Sequence, residues 1–147
     1  MRVLALDVGE KNIGLALSDK LGWTAQGLPS LKRESKDKTI CAIADIVREN
    51  AVCEIVVGMP INMDGSLGKK AKEVALFLED LKKEFSLPIK AWDERLTTVQ
   101  AEKLLLQQDV SRKKRKRKID RLAAQLILQN YLDAKAESQD VQKDHAE

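Results

Sequence analysis

At 147 residues, 44% hydrophobic and one-third charged, the chain is long enough to bury a core as one domain and too apolar to be disordered as a whole. Only Val3 to Leu6 is apolar before Asp7, and no apolar run approaches the roughly 18 residues of a membrane helix, so neither a signal-peptide core nor a membrane span is expected and the expected compartment is cytoplasmic. The net charge of +3 hides an asymmetry: Arg112 to Arg121 holds eight bases and one acid, leaving eighteen bases against twenty-two acids elsewhere, and such a concentrated basic stripe is what polyanion binding requires.

The chain opens with two apolar runs, Val3–Leu6 and Ile13–Leu17, joined through Asp7-Val8-Gly9-Glu10-Lys11-Asn12, which reads as a β-hairpin whose first strand ends on a carboxylate. Alternation puts Val3, Ala5 and Asp7 on one face and Leu4 and Leu6 on the other. In the return strand Gly14, Ala16 and Ser18 share a face with almost no bulk, where another backbone, a metal or a phosphate can come close. Trp23 to Leu28 is expected to form a third strand, ended by Pro29 and completing an antiparallel meander.

From there strand and helix alternate. Ser35 and Asp37 can cap and charge a helix with the stripe Ile40, Ile43, Ala44 and Val47, ended at Glu49-Asn50. Glu54 to Val57 reads as a buried strand running into Gly58-Met59-Pro60. The polar loop Asn62 to Gly68 then lies at a strand C-terminus, where α/β sheets tend to bind ligands. A helix from about Lys69 to Phe85 carries the stripe Val74, Phe77, Leu78, Leu81 and Phe85. A short strand, Ile89 to Trp92, leads to Asp93-Glu94-Arg95. Thr97 with Gln100 fits a capping box for a helix to about Asp109. After the basic stripe, a last helix from about Ile119 to Ala136 places Asp120 within its apolar arc. Glu137 to Glu147 is patternless and expected to be a disordered tail, leaving residues 1–136 as the domain. Cys41, Cys53 and the single histidine, His145, have no metal-ligand spacing, and both cysteines are expected to be reduced and partly buried.

This order predicts an α/β fold with a mixed five-stranded sheet, an antiparallel meander plus two parallel strands, flanked by helices. Carboxylates recur at the end of the first strand, at the end of the last strand and at the start of the last helix. Three inward acids cannot all stay ionised in a dry site without a cation, and oxygen-rich sites suit Mg²⁺ or Mn²⁺. Two such ions can stabilise both the attacking and the leaving oxygen of phosphodiester cleavage. Asp93 and Glu94 point to opposite faces of their strand, so only one of them reaches Asp7 easily.

Asp7-Val8-Gly9-Glu10-Lys11-Asn12-Ile13-Gly14-Leu15-Ala16-Leu17-Ser18-Asp19, Gly58-Met59-Pro60, Asp64-Gly65-Ser66, Asp93-Glu94-Arg95-Leu96-Thr97-Thr98 and the segment from Ser111 through Ile119-Asp120 to Gln129 together resemble the YqgF family. That family comprises RNase H-like Holliday junction resolvases, also described as pre-16S rRNA nucleases. The resemblance runs from residue 1 to about 134. It implies an RNase H-like fold and metal-dependent cleavage of structured nucleic acid, with Asp7, Glu94 and Asp120 as the catalytic, metal-holding acids around Mg²⁺ or Mn²⁺. On the same reading Lys11, Arg95, Arg112, Lys113, Lys114, Arg115, Lys116 and Arg117 contact the nucleic acid. Asn12 stands where the family usually carries an Arg, which removes one phosphate contact from the hairpin turn.

Processing of the 5′ end of pre-16S rRNA is the leading expectation, with Holliday junction resolution as the alternative; the oligomeric state, monomer or homodimer, is left open. A non-catalytic RNA-binding module gains nothing from gathered acids. The Asp-x-Gly opening also resembles the first phosphate loop of actin-like and sugar-kinase ATPases, but the chain is too short for two lobes.

Overall fold

A computed structural model describes residues 2–62, 64–93 and 122–136. Its elements, in order, are β1 (Arg2–Val8), β2 (Asn12–Ser18), β3 (Ala25–Lys32), α1 (Lys36–Glu49), β4 (Val52–Met59), α2 (Lys69–Glu84) and β5 (Ile89–Asp93), followed by a helix over residues 122–136, here α3. The expected helix Thr97 to Asp109, the basic stripe, Glu94, Arg95, Asp120 and the tail after 136 lie outside the described residues.

The strands form one mixed sheet in the order β3-β2-β1-β4-β5. β1, β2 and β3 pair antiparallel, as a meander must, whereas β4 joins β1 and β5 joins β4 in parallel. The α1 crossover carries the chain over one face to β4, and α2 carries it to β5. Ser35 caps α1 as its composition predicts, its hydroxyl accepting from the Lys38 N–H at 3.3 Å.

Side-chain alternation divides the core in two. On one face Leu4, Leu6, Val8, Ile13, Leu15, Leu17, Ile55 and Val57 pack against Ile43 of α1 and Val74, Phe77, Leu78 and Leu81 of α2. On the other, Val3, Ala5, Ala16, Ala25 and Val56 pack against Ala124, Ile127, Leu128, Tyr131 and Leu132 of α3. The low-bulk face expected of β2 is thus covered by α3, with alanines on both partners at the contact.

The run of α3 follows from its contacts. The Gln125 side chain donates to Ala25 O at 3.2 Å, and four residues later Gln129 donates to Trp23 O at 3.0 Å, an earlier point on the chain entering β3. On the other flank, Tyr131 stacks edge-on against Trp92 with centroids 5.4 Å apart, and Lys135 reaches back to Glu54 near the start of β4. α3 therefore runs antiparallel to β1, β4 and β5, and its first turns lie toward their C-terminal ends.

Two expectations need correction. Pro29 does not end the third strand: β3 continues to Lys32. It lies at the sheet edge, and the register slips between Ile13↔Leu31 and Leu15↔Leu28, so one extra β3 residue bulges where the missing proline N–H costs no ladder bond. Cys41 is exposed on α1; only Cys53 is half-buried, its thiol donating to Arg2 O at 3.3 Å.

Candidate active site

The C-terminal ends of β1, β4 and β5 meet at one edge of the sheet, because the three strands are parallel. Asp7, half-buried, is the penultimate residue of β1 and faces the α3 side with Val3 and Ala5. Its partner on β2 is Gly14, and on β4 the residue one step beyond the Leu6↔Val57 pair is Gly58. The carboxylate is thus flanked on its own face by two residues without side chains. A carboxylate is a hard oxygen donor of the kind that suits a divalent cation.

The turn after Asp7 is held from several directions. The Gly9 N–H donates to Asn12 O at 2.9 Å, and a Cβ on Gly9 would lie 2.7 Å from that same oxygen, so a glycine is required for close approach. The Arg33 N–H donates to Lys11 O at 2.8 Å, its guanidinium donates to Gly9 O at 2.9 Å, and it also lies 5.4 Å over the Phe77 ring. Arg33 is a structural support for the site that sequence reasoning missed; nothing local marks a single arginine after a strand as a brace for a turn 24 residues earlier. Lys11 is exposed on this turn.

The loop from Asn62 to Gly68 closes on itself beside the same edge. Asp64 accepts from the Ser66 hydroxyl at 2.6 Å and from the Ser66 N–H at 2.9 Å, and these bonds hold its carboxyl below the usual range. The Asn62 side chain donates to the Ser66 hydroxyl at 3.1 Å. Asp19, an acid of the opening motif, is a turn residue at the opposite end of the sheet, its carboxyl held low chiefly by the Trp23 N–H at 2.7 Å.

β5 decides which face Asp93 takes. Val57 pairs with Ala91 and Met59 with Asp93, so Asp93 shares the α1/α2 face, while Lys90 and Trp92 share the face of Asp7. Of the three carboxylates expected at the site, Asp7 is described; Glu94 and Asp120, with Arg95 and Arg112 to Arg117, lie outside the described residues. Among the described residues no three His, Cys, Asp or Glu side chains gather as a metal cluster.

At the opposite end of the α3 face is a polar cluster that no motif announced. Glu54, only 5% exposed, accepts from the Tyr131 hydroxyl and pairs with Lys90 at 3.2 Å and Lys135 at 3.2 Å. Lys90 also donates to the Tyr131 hydroxyl at 3.2 Å. Burial by itself pushes the Glu54 carboxyl up, but hydrogen bonds from Tyr131, Lys135 and Lys90 together outweigh it and hold the carboxyl below its ordinary value. Burial and the bond to Glu54 push the Tyr131 phenol up, and bonds to Tyr131 and Glu54 raise the Lys90 ammonium.

Residues 1–134 match the family described as "RuvX: Holliday junction resolvase". The chain belongs to the RuvX family. A protein of Desulforamulus reducens named "Putative pre-16S rRNA nuclease" is 54% identical over 136 residues, covering 92% of this chain and 99% of the relative. A protein of the same name from Thermoanaerobacter pseudethanolicus is 53% identical over 135 residues, covering 91% and 97%. Among solved structures, T. thermophilus RuvC in complex with a Holliday junction substrate superposes with a TM-score of 0.56 at 16% identity, over 92% of this chain and 96% of that one. Fowlpox virus resolvase with Holliday junction DNA gives 0.54 at 14%, over 91% and 98%. At such identities the likeness is one of fold, and this RuvX-family chain has the RNase H-like fold of the RuvC-type resolvases. No helix among the described residues is long and apolar enough to cross a membrane.

Proposed function

We propose that this RuvX-family protein is a metal-dependent endonuclease on structured nucleic acid that processes the 5′ end of pre-16S rRNA in the cytoplasm. The observation that carries the reading is the setting of Asp7: a carboxylate at the C-terminal end of β1, between Gly14 and Gly58, on the face toward which α3 directs its first turns. Relatives about half identical over nearly their whole length, named as pre-16S rRNA nucleases, favour rRNA over a DNA junction.

Asp7, Glu94 and Asp120 would hold two Mg²⁺ or Mn²⁺ ions. When bound, the ions activate a water and stabilise the departing oxygen of the phosphodiester. The protein's own share is positioning. Asp93 takes the α1/α2 face, and in this reading the acid working with Asp7 is its neighbour Glu94. In this reading Asp120, which precedes α3 in the sequence, supplies the third acid. Lys11, Arg95 and the stripe Arg112 to Arg117 hold the flanking phosphates, and Arg33 fixes the turn that bears Lys11. Trimming one rRNA end needs one active site, so a monomer suffices.

The test is cleavage of a labelled precursor rRNA and of a four-way DNA junction, side by side, with Mg²⁺, Mn²⁺ or EDTA. Asp7→Asn, Glu94→Gln and Asp120→Asn should each abolish most rRNA cleavage while circular dichroism and binding in EDTA stay unchanged; Asp93→Asn should remain active. Faster cutting of the junction would assign the resolvase role instead. Cleavage in EDTA, or a folded Glu94→Gln protein that cuts normally, overturns the site.

A further inference from the structure

The Glu54 cluster lies at the end of the sheet away from Asp7, and its arrangement exceeds what holding a helix on a sheet requires. An apolar stripe of five residues already packs α3 down. Apolar contacts are non-directional and tolerate sliding of a helix along its axis, whereas hydrogen bonds do not. The Tyr131 hydroxyl and the Lys135 ammonium, one helical turn apart, both end on the same buried carboxylate, Lys135 at 3.2 Å. Lys90 closes the cluster from β5, 3.2 Å from both the carboxylate and the phenol, and the ammonium groups of Lys90 and Lys135 lie 5.8 and 5.9 Å from the Tyr131 ring centroid.

On the other flank Gln129 accepts from the Ala25 N–H at 3.0 Å and donates to Trp23 O at 3.0 Å. α3 is therefore tied to β3 on one side and to β4 and β5 on the other, near its C-terminal half. Its first described turn, toward Asp7, packs through Ala123 and Ala124 and carries one side-chain hydrogen bond, from Gln125 to Ala25 O at 3.2 Å.

We infer that Glu54 is a positioning residue: by fixing α3 axially through Tyr131 and Lys135, it sets how the start of that helix meets Asp7. The inference rests on the proposed function to the extent that Asp120, two residues before the described helix, works with Asp7. A helix is stiff over the roughly 2–3 turns between residues 122 and 131, so a small displacement at Tyr131 is passed on nearly whole to its start. Displacements on the order of 1 Å cost about a hundredfold where reacting groups must align.

The experiment uses the full chain with Tyr131→Phe, Lys135→Met and Lys135→Arg, and with Ala42→Gly in α1 as a control that lowers the melting temperature without touching α3. Tyr131→Phe and Lys135→Met should speed amide exchange over residues 122–128 about tenfold, and lower kcat on the precursor rRNA about tenfold with KM within about twofold. Lys135→Arg, which keeps charge and donor, should restore both. Ala42→Gly should leave exchange in 122–128 and kcat at wild-type values. The inference is overturned if Tyr131→Phe and Lys135→Met behave as Ala42→Gly does, with a lower melting temperature and nothing else. A wild-type chain that cuts no nucleic acid refutes the proposed function instead, and the exchange data then decide alone whether the Glu54 cluster holds the start of α3.

Discussion

Gln129→Ala tests how α3 is tied to the edge strand. The Gln129 amide does three things: Oε1 accepts the Ala25 N–H at 3.0 Å, and Nε2 donates to Trp23 O at 3.0 Å and to Asp133 Oδ1 at 3.0 Å. The three bonds are not of equal weight. Ala25 is 7% exposed, so its N–H is left without a partner where water reaches it poorly, at a cost of about 1–2 kcal/mol. Trp23 is 73% exposed, and water replaces the missing donor there for a few tenths at most. With the exposed Asp133 bond contributing little, the sum is about 1.5–2.5 kcal/mol. At about 3–4 °C per kcal/mol for a chain of this size, the melting temperature should fall by roughly 5–10 °C. Gln125→Ala removes one bond, to Ala25 O at 3.2 Å, and should cost about 0.5–1 kcal/mol, or roughly 2–4 °C. Urea unfolding followed by circular dichroism should give the same order with unchanged m-values. Gln129→Met keeps length and volume but not the bonds, and should track Gln129→Ala. If it instead tracks wild type, the side chain contributes packing alone and the hydrogen-bond reasoning is wrong.

Three further outcomes are expected. Replacing Lys113, Arg115 and Arg117 by Ala should weaken binding to all structured nucleic acids and flatten the log–log salt dependence by about one for each phosphate no longer neutralised; an unchanged slope would show that the stripe touches no phosphate. Because the Glu54 carboxyl is held below its ordinary value when folded, it contributes stability above its unfolded pKa that is lost as pH falls through the lower folded value. Glu54→Gln should therefore flatten the loss of stability in acid, measured as urea midpoints from about pH 6 down to about pH 3, and identical slopes would contradict the assignment. Ala51, between α1 and β4, has φ of 52°, a left-handed conformation that disfavours a Cβ; Ala51→Gly should be neutral to stabilising, by up to about 1 kcal/mol in thermal unfolding, and a clear decrease would contradict the strain argument.

What the sequence disclosed and what it withheld divide along physical lines. Elements whose signal is local were legible: the alternation of Leu4, Leu6 and Val8, the Ser35 cap, and the stripe Val74, Phe77, Leu78 and Leu81 all act within a few residues of themselves. Asp7 was legible for the same reason, since strand parity alone puts it on the face of Ala5. Pro29 misled because a proline ends a central strand but not an edge strand, and edge position is a property of the whole sheet. The Glu54 cluster draws on positions 54, 90, 131 and 135, and the Arg33 brace on positions 9, 11, 33 and 77; neither has a spacing that periodicity can reveal. Gln125 and Gln129 stand within the family motif, yet their purpose, supplying amide groups to the backbone entering β3, is visible only in the fold.

The unequal bulk of the two sheet faces separates two kinds of tolerance to change. Under α1 and α2, branched and aromatic side chains interdigitate, and a change of one methylene can be taken up by a neighbour's rotamer some distance from any reacting group. Under α3, Ala5 and Ala16 act as spacers: their size sets the gap between helix and sheet, and the same gap continues to Asp7. A valine at either alanine would lift the helix, and with it the geometry of the edge, even if the protein remained stable. The α1/α2 side can therefore drift in packing under selection or be engineered, while the spacing on the α3 side is held by two methyl groups.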